Sequence, residues 1–286
     1  MNQRWIGLLG LVAFVLPLSA CSKPTSHAEQ SARTSINDIS NYENTVSDIV
    51  AKIKKHPIEN GYLTLNIELA AGNDKMMKSS LKGAFRNQPF IMEMETTSSA
   101  GEVKGSSKEW TDDKNIYLAP SGKQWYKAKK ESKIIDINAL KTDLASNTNK
   151  FVNPSAKIQR QMKLINTKDK YILSLVTTLQ EKEAFRDFAR STLGMTGQNS
   201  EGLGMNKEIL KDARLQNLTM KETINKSNYR VEKLDVTFEM TYKGIKIREK
   251  ETINKIGKYR NLEVPSKIKN ATPLSDDVVN RMNSIE

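Results

Sequence analysis

This 286-residue sequence predicts an α+β fold built on one large antiparallel sheet. Three observations lead there. Apolar and polar residues alternate at period two from Tyr62 to Lys129 and again from about Leu218 to Val264. Helical periodicity is confined to segments before and between those stretches, giving the order helix, meander, helices, meander. Neither meander has enough helix beside it to cover its own sheet, so the two halves are read as one domain, residues 45–286.

Ahead of that domain, Arg4 and the amino terminus are followed by an uncharged apolar run from Trp5 to Pro17. The small-residue stretch Leu18-Ser19-Ala20 then leads to Cys21, the only cysteine. Residues 1–20 read as a secretory signal, too short for a stable membrane crossing. Leu18-Ser19-Ala20-Cys21 resembles the bacterial lipobox, which implies diacylglycerol on the sulfur and cleavage just before Cys21; two acyl chains anchor firmly where one is marginal. The competing reading is an ordinary cleaved signal with an incidental cysteine. Residues 21–44 then contain the modified residue and a tether rich in Ser, Thr, Asn and Gln, with an end-to-end distance on the order of 26 Å.

Within the domain, Val46, Ile49, Val50 and Ile53 recur at helical spacing behind Asn44 or Thr45 as cap, and His56-Pro57 ends that helix. Leu63, Leu65, Ile67 and Leu69 then alternate with Thr64, Asn66 and Glu68, as in a strand with one wet face. Strands follow over Leu81 to Phe85, at Phe90, Met92 and Met94 (against Ile91, Glu93 and Glu95), and over Val103 to Trp110. Asp112 to Asn115 turns into Ile116-Tyr117-Leu118, and Pro120 to Lys123 turns into Gln124-Trp125-Tyr126-Lys127.

A helix is expected over Asp136 to Ser146, on the face of Ile137, Leu140 and Leu144, and a hairpin over Ile158 to Leu179 turning near Thr167-Lys168-Asp169. Glu181 to Leu193 forms an amphipathic helix with Phe185 and Phe188 on its apolar side. A Gly-rich loop at 194–204, read as a connector or a lid, and a short helix at Asn206 to Ala213 come next. The second meander places Leu218, Met220 and Ile224 on one face. Leu234, Val236, Phe238, Met240 and Tyr242 follow, then a turn at Lys243-Gly244 into Ile245, Ile247 and Glu249. A last strand is expected from Lys258 to Val264, ended by Pro265.

The charge is +12 for the whole chain; Arg4 contributes one, leaving +11 after residue 20. A tethered domain of that sign is drawn to anionic lipid headgroups or phosphate-rich wall polymer within about a Debye length. Most individual lysines are equally well explained as a solvated face. Nucleic acid is a poor partner: there is no zinc-ligand spacing and no basic helix with interleaved aromatics. Catalysis is not expected either. His27 lies in the tether and His56 at a helix end, leaving no positioned base for a nucleophile and no His/Cys metal set. The pairs Asp112-Asp113 and Asp276-Asp277 fit turns or caps, and Glu93 with Glu95 fits the wet face of a strand. No phosphate loop or dinucleotide motif occurs, and no cofactor is expected.

Function is therefore expected from a surface. Long strands curl, and a curved sheet encloses ligands. The residues placed on its apolar side are Leu65, Ile67, Met92, Met94, Met220, Phe238, Met240 and Tyr242, with Phe185 and Phe188 from the helix above. Adaptable methionines suit an irregular acyl chain, and Lys127 and Lys129 are placed at the rim, facing an anionic headgroup. The competing reading makes these residues ordinary core.

The lipobox, the polar tether and one amphipathic helix are followed by Ile116-Tyr117, Trp125-Tyr126-Lys127, the central helices, a second meander, Val264-Pro265 and Lys269-Asn270-Ala271. Over about residues 45–272 this order resembles the LolA/LppX-like bacterial lipoproteins, especially Gram-positive members of unassigned role. The resemblance implies a half-open antiparallel barrel with helices on its concave face and carriage of lipids or lipoproteins in a hydrophobic cavity. It transfers no site residue. An acylated Cys21 would hold this chain at the outer side of the cell membrane, unlike the relatives that shuttle. The leading expectation is a membrane-anchored lipoprotein that binds an amphipathic lipid. The alternative is an envelope-assembly lipoprotein with a filled core, docking on anionic wall polymer or a protein partner.

Overall fold

The computed structural model describes residues 45–72, 74–120, 124–129, 137–178 and 214–274. The expected signal, Cys21, the tether, the helices at 181–193 and 206–213, the loop between them and Asp276-Asp277 lie outside the described residues.

Helix α1 (Val46–Ile53) starts where the sequence places a cap. The Thr45 hydroxyl accepts from the Asp48 amide, and the Asp48 carboxylate accepts from the Thr45 amide, a reciprocal pair that satisfies two otherwise orphaned donors. The first meander comprises β1 (Asn60–Ala71), β2 (Asp74–Arg86), β3 (Ile91–Ala100), β4 (Val103–Asp112), β5 (Asn115–Pro120) and β6 (Tyr126–Lys129). Helices α2 (Ile137–Val152) and α3 (Ala156–Gln159) follow. The second meander comprises β7 (Lys163–Asn166), β8 (Lys170–Thr178), β9 (Arg214–Asn225), β10 (Val231–Tyr242) and β11 (Ile245–Asn254). Helix α4 (Ser266–Lys269) and β12 (Thr272–Pro273) close the described chain.

All twelve strands belong to one sheet in the order β12-β6-β5-β4-β3-β2-β1-β11-β10-β9-β8-β7. Pairing is antiparallel except between β12 and β6. The first meander runs outward from the middle of the sheet, and the second runs back in to join it through β1 and β11, Tyr62 opposite Asn254 and Ala71 opposite Ile245. The edges β12 and β7 are not paired with each other, so this large curved sheet stays open. The turn into β11 places Lys243 at φ 46° and Gly244 at φ 81°, the two left-handed residues of a two-residue hairpin.

One apolar cluster unites a single face of the sheet with the helices. Ile49, Val50 and Ile53 of α1, Ile137, Leu144, Phe151 and Val152 of α2 and Ile158 of α3 pack with the alternate residues of β1, β8, β9 and β10. The opposite face is mostly polar; Ile91, Trp110 and Tyr117 at one end of it are covered by Val264 and Ile268, while Ile165 and Val176 stand exposed near the β7 edge.

That cover corrects two expectations. Residues 258–264 do not form a strand. Lys255 and Gly257 take left-handed conformations, and Asn60 captures the next segment, its carbonyl accepting from the Gly257 amide and its side chain from the Tyr259 amide at 2.9 Å. The chain then crosses the outer face as a strap over Trp110, and Pro265 starts α4 instead of ending a strand. Ile91, expected on the wet side with Glu93, is buried beneath that strap. A third difference is minor: Ile158 belongs to a helical turn before the hairpin.

Gly83 marks a close approach of two strands. A Cβ built there would stand 1.8 Å from the Glu93 carbonyl oxygen, a backbone atom that cannot swing aside. Gly83→Ala is expected to destabilise the protein by about 1–3 kcal/mol, read as a lower urea midpoint at unchanged m-value.

Candidate functional site

The apolar face carries acid. In β9, Glu222 falls in phase with Leu218, Met220 and Ile224; in β11, Glu249 and Glu251 fall in phase with Ile247 and Ile253. Strand alternation points these side chains into the cluster instead of to water. The register sets their neighbours. Glu251 lies between Leu65 of β1 and Val236 of β10, Glu249 between Ile67 and Phe238, and Glu222 between Leu234 of β10 and Leu173 of β8. All three are buried, with relative exposure of 0–2%. Among the described residues, both carboxyl oxygens of Glu222 and of Glu251, and Oε2 of Glu249, have no hydrogen-bond partner.

Burial pushes the carboxyls of Glu222 and Glu251 up to about 8, and burial together with the charge of Glu251 holds Glu249 well above the usual carboxylate range. A fourth acid, Glu109 of β4, shares the face of Met94. Burial raises it to about 7, opposed by the Thr111 hydroxyl, which donates to Oε1 at 2.6 Å. Burial thus favours the protonated form of Glu222, Glu249 and Glu251, which donates and accepts hydrogen bonds without carrying charge.

Around these acids stand most of the residues expected to contact a ligand. Leu65, Ile67, Met92, Met220, Phe238 and Met240 are buried in the cluster, and Met94 and Tyr242 pack against it half-buried. Phe185 and Phe188 lie outside the described residues. Lys127 is not at a rim of this face. It pairs with Tyr117 on the outer side, its Nζ 5.5 Å from the ring centroid, and Lys129 shares its phase while the intervening Ala128 is buried.

Sequence reasoning passed over Glu222 and Glu251 and gave Glu249 no role. The signal was available: a carboxylate that falls in phase with the apolar residues of a strand instead of out of phase. Of the acid pairs it did weigh, Asp112-Asp113 serves local structure. Asp112 Oδ1 accepts from the amides of Lys114 and Asn115, closing the turn, and Asp113 accepts from the Phe90 amide. Among the described residues no group of three His, Cys, Asp or Glu side chains is placed to hold a metal ion, and no helix is long and apolar enough to cross a membrane.

Fold and site define an α+β protein with an open antiparallel sheet and carboxyls sunk in its apolar face. Residues 46–273 match the model of a family of unknown function (DUF6612), and the chain belongs to that family. No curated protein matches the sequence. Among solved structures, similarity is found to a LolA superfamily protein from Nitrosomonas europaea, at 10% identity and a TM-score of 0.22, covering 79% of this chain and 97% of that one. A beta-barrel-like protein of a domain of unknown function from Brucella abortus matches at 8% identity and a TM-score of 0.21, covering 69% and 99%. Similarities this distant carry no argument about the present chain.

The raised carboxyls make stability depend on pH. Between the ordinary value of 4.5 and the folded value of about 8, the folded chain keeps protons that the unfolded chain has released. Stability therefore falls as pH rises through that window and levels off above it. The shift corresponds to roughly 4–5 kcal/mol for each group as an upper bound. Urea midpoints measured from pH 5 to pH 9 are expected to fall, and Glu251→Gln, which cannot ionise, is expected to flatten the decline and raise the midpoint at pH 8.

Proposed function

We propose that the protein is a lipid-anchored, extracytoplasmic binding lipoprotein that accepts an amphipathic lipid or a similar apolar ligand between the apolar face of its sheet and the helices. It performs no covalent chemistry. The observation that carries this reading is the set of buried carboxyl oxygens of Glu222, Glu249 and Glu251 that lack partners among the described residues, set beside Leu65, Ile67, Val236 and Phe238. A core built only for stability gains nothing from them, since each buried polar group without a partner costs about 1–3 kcal/mol. A ligand that brings hydroxyl, amide or amine groups along with an acyl chain supplies the missing partners. Apolar burial of about 25 cal/mol per Å² drives its entry, offset by ordering costs.

The resemblance to LolA/LppX-like lipoproteins supports the same class of ligand, with the helices closing the concave side of a half-open barrel. Leu18-Ser19-Ala20-Cys21 supports anchoring at the outer side of the cell membrane through acylated Cys21.

Lipid extraction from protein purified under mild conditions, followed by mass spectrometry, is expected to recover a stoichiometric amphipathic ligand, and the emptied protein is expected to take up a fluorescent fatty acyl probe. Phe238→Ala should weaken that uptake several-fold. A protein recovered empty that takes up no probe would overturn the reading. Separately, Cys21→Ser is expected to abolish incorporation of labelled palmitate and to move the protein from the membrane pellet to the soluble fraction.

A further inference from the structure

The outer face holds a feature that the proposed ligand site does not use. Across β11, β1, β2, β3 and β4 an open groove of about 620 Å³ runs over the polar side of the sheet. Two cross-strand rows form its floor. One runs Arg248, Glu68, Lys78, Ser99, Lys104; the other runs Lys250, Asn66, Ser80, Thr97. The lining has four cations and one acid.

These cations differ in what they already do. Arg248 is engaged: its Nε donates to Glu239 at 2.7 Å. Lys78, Lys104 and Lys250 are exposed and have no ion pair or hydrogen bond among the described residues. Between them stand hydroxyl and amide side chains. No aromatic residue lines the groove.

We infer that this groove is a binding track for a linear polyanion that carries phosphodiester groups along a polyol backbone. Charge complementarity selects an anion. Geometry selects a chain over a single ion, because one phosphate is held by donors that converge, at a helix N-terminus or a backbone nest. Here the cations spread across five strands, about 19 Å at the usual interstrand spacing, and the groove is open to solvent. Ser80, Thr97, Ser99 and Asn66 lie between the charges, where they exchange hydrogen bonds with hydroxyls of the polymer. Single-stranded nucleic acid would need aromatic platforms for its bases, and an acidic peptide would need a pocket for an anchoring side chain. The groove offers neither. Because it lies on the face opposite the buried carboxyls, it is independent of the ligand proposed for that face.

The test uses the purified full chain and poly(glycerol phosphate) of defined length. Binding is followed by anisotropy of the labelled polymer over a range of NaCl concentrations, with inorganic phosphate and poly-glutamate as competitors. The variant K78E/K104E/K250E is compared with K157E/K163E/K267E, which makes the same change in net charge at exposed lysines elsewhere. The groove variant is expected to lose at least about tenfold in affinity and to flatten the slope of log K against log salt by about 2, while the control variant loses less than about threefold. Poly-glutamate is expected to compete far more weakly than unlabelled polymer, and phosphate hardly at all. Equal losses in the two variants, no binding by wild type, or equal competition by poly-glutamate would each overturn the assignment. Circular-dichroism melts check folding, and the milder K78Q/K104Q/K250Q is read in the same way should the charge reversal fail to fold.

Discussion

The ladder between β1 and β11 is the constraint on which the rest of the structure depends. It joins residues far apart in sequence, from Tyr62 with Asn254 to Ala71 with Ile245, and turns two separate meanders into one sheet. Its register sets both faces at once. A slip of one residue would exchange them, bringing Leu65 and Ile67 to solvent and Asn66 and Glu68 into the cluster. The same pairing sets Glu249 and Glu251 beside Ile67 and Leu65 on one side, and Arg248 and Lys250 beside Glu68 and Asn66 on the other. The carboxyl-bearing face and the cationic groove are thus two readings of a single strand, β11, whose alternation sends acids inward and bases outward.

That arrangement inverts the usual sorting of charge. Strand β11 reads Ile245-Lys-Ile-Arg-Glu-Lys-Glu-Thr-Ile-Asn254, and its acids occupy the positions where a two-faced sheet places aliphatic residues. Desolvation settles how they exist there: neutral, with protons that water would have removed. Neutral carboxyls cost less than buried anions but still need partners. Glu109 has one, in Thr111, while Glu222 and Glu251 have none among the described residues.

Much of the architecture was legible in the sequence. Period-two runs located the well-alternating strands, and Lys243-Gly244 located a two-residue hairpin, because both signals are local. What escaped was non-local or masked by composition. The far ends of β2 and β3 are rich in Ser, Thr and Lys and lack the apolar alternation that marks the other strands; they are strands because they are paired, Lys78 with Ser99 and Ser99 with Lys104 of β4. Those are the residues that floor the groove. Residues 258–264 misled in the opposite direction. Their alternation resembled a strand, whereas Asn60 and the apolar patch around Trp110 recruit them as a strap. Of the residues on the apolar face, the aliphatic, methionine and aromatic members were recoverable from phase. The acids among them were not singled out, since carboxylates are ordinarily assigned to water.

An open sheet leaves two rows of unsatisfied backbone groups, and the manner of its opening governs how the molecule behaves in a crowd. The border strands are short: β7 has four residues and begins with a lysine, and β12 has two, one of them Pro273, which lacks an amide hydrogen. A neighbouring chain trying to extend the ladder would find only a short template in β7 or β12 themselves, although the interior strands run to a dozen residues. Such borders let a broad, unclosed β surface persist without seeding fibrils, a safeguard suited to proteins held at high local density.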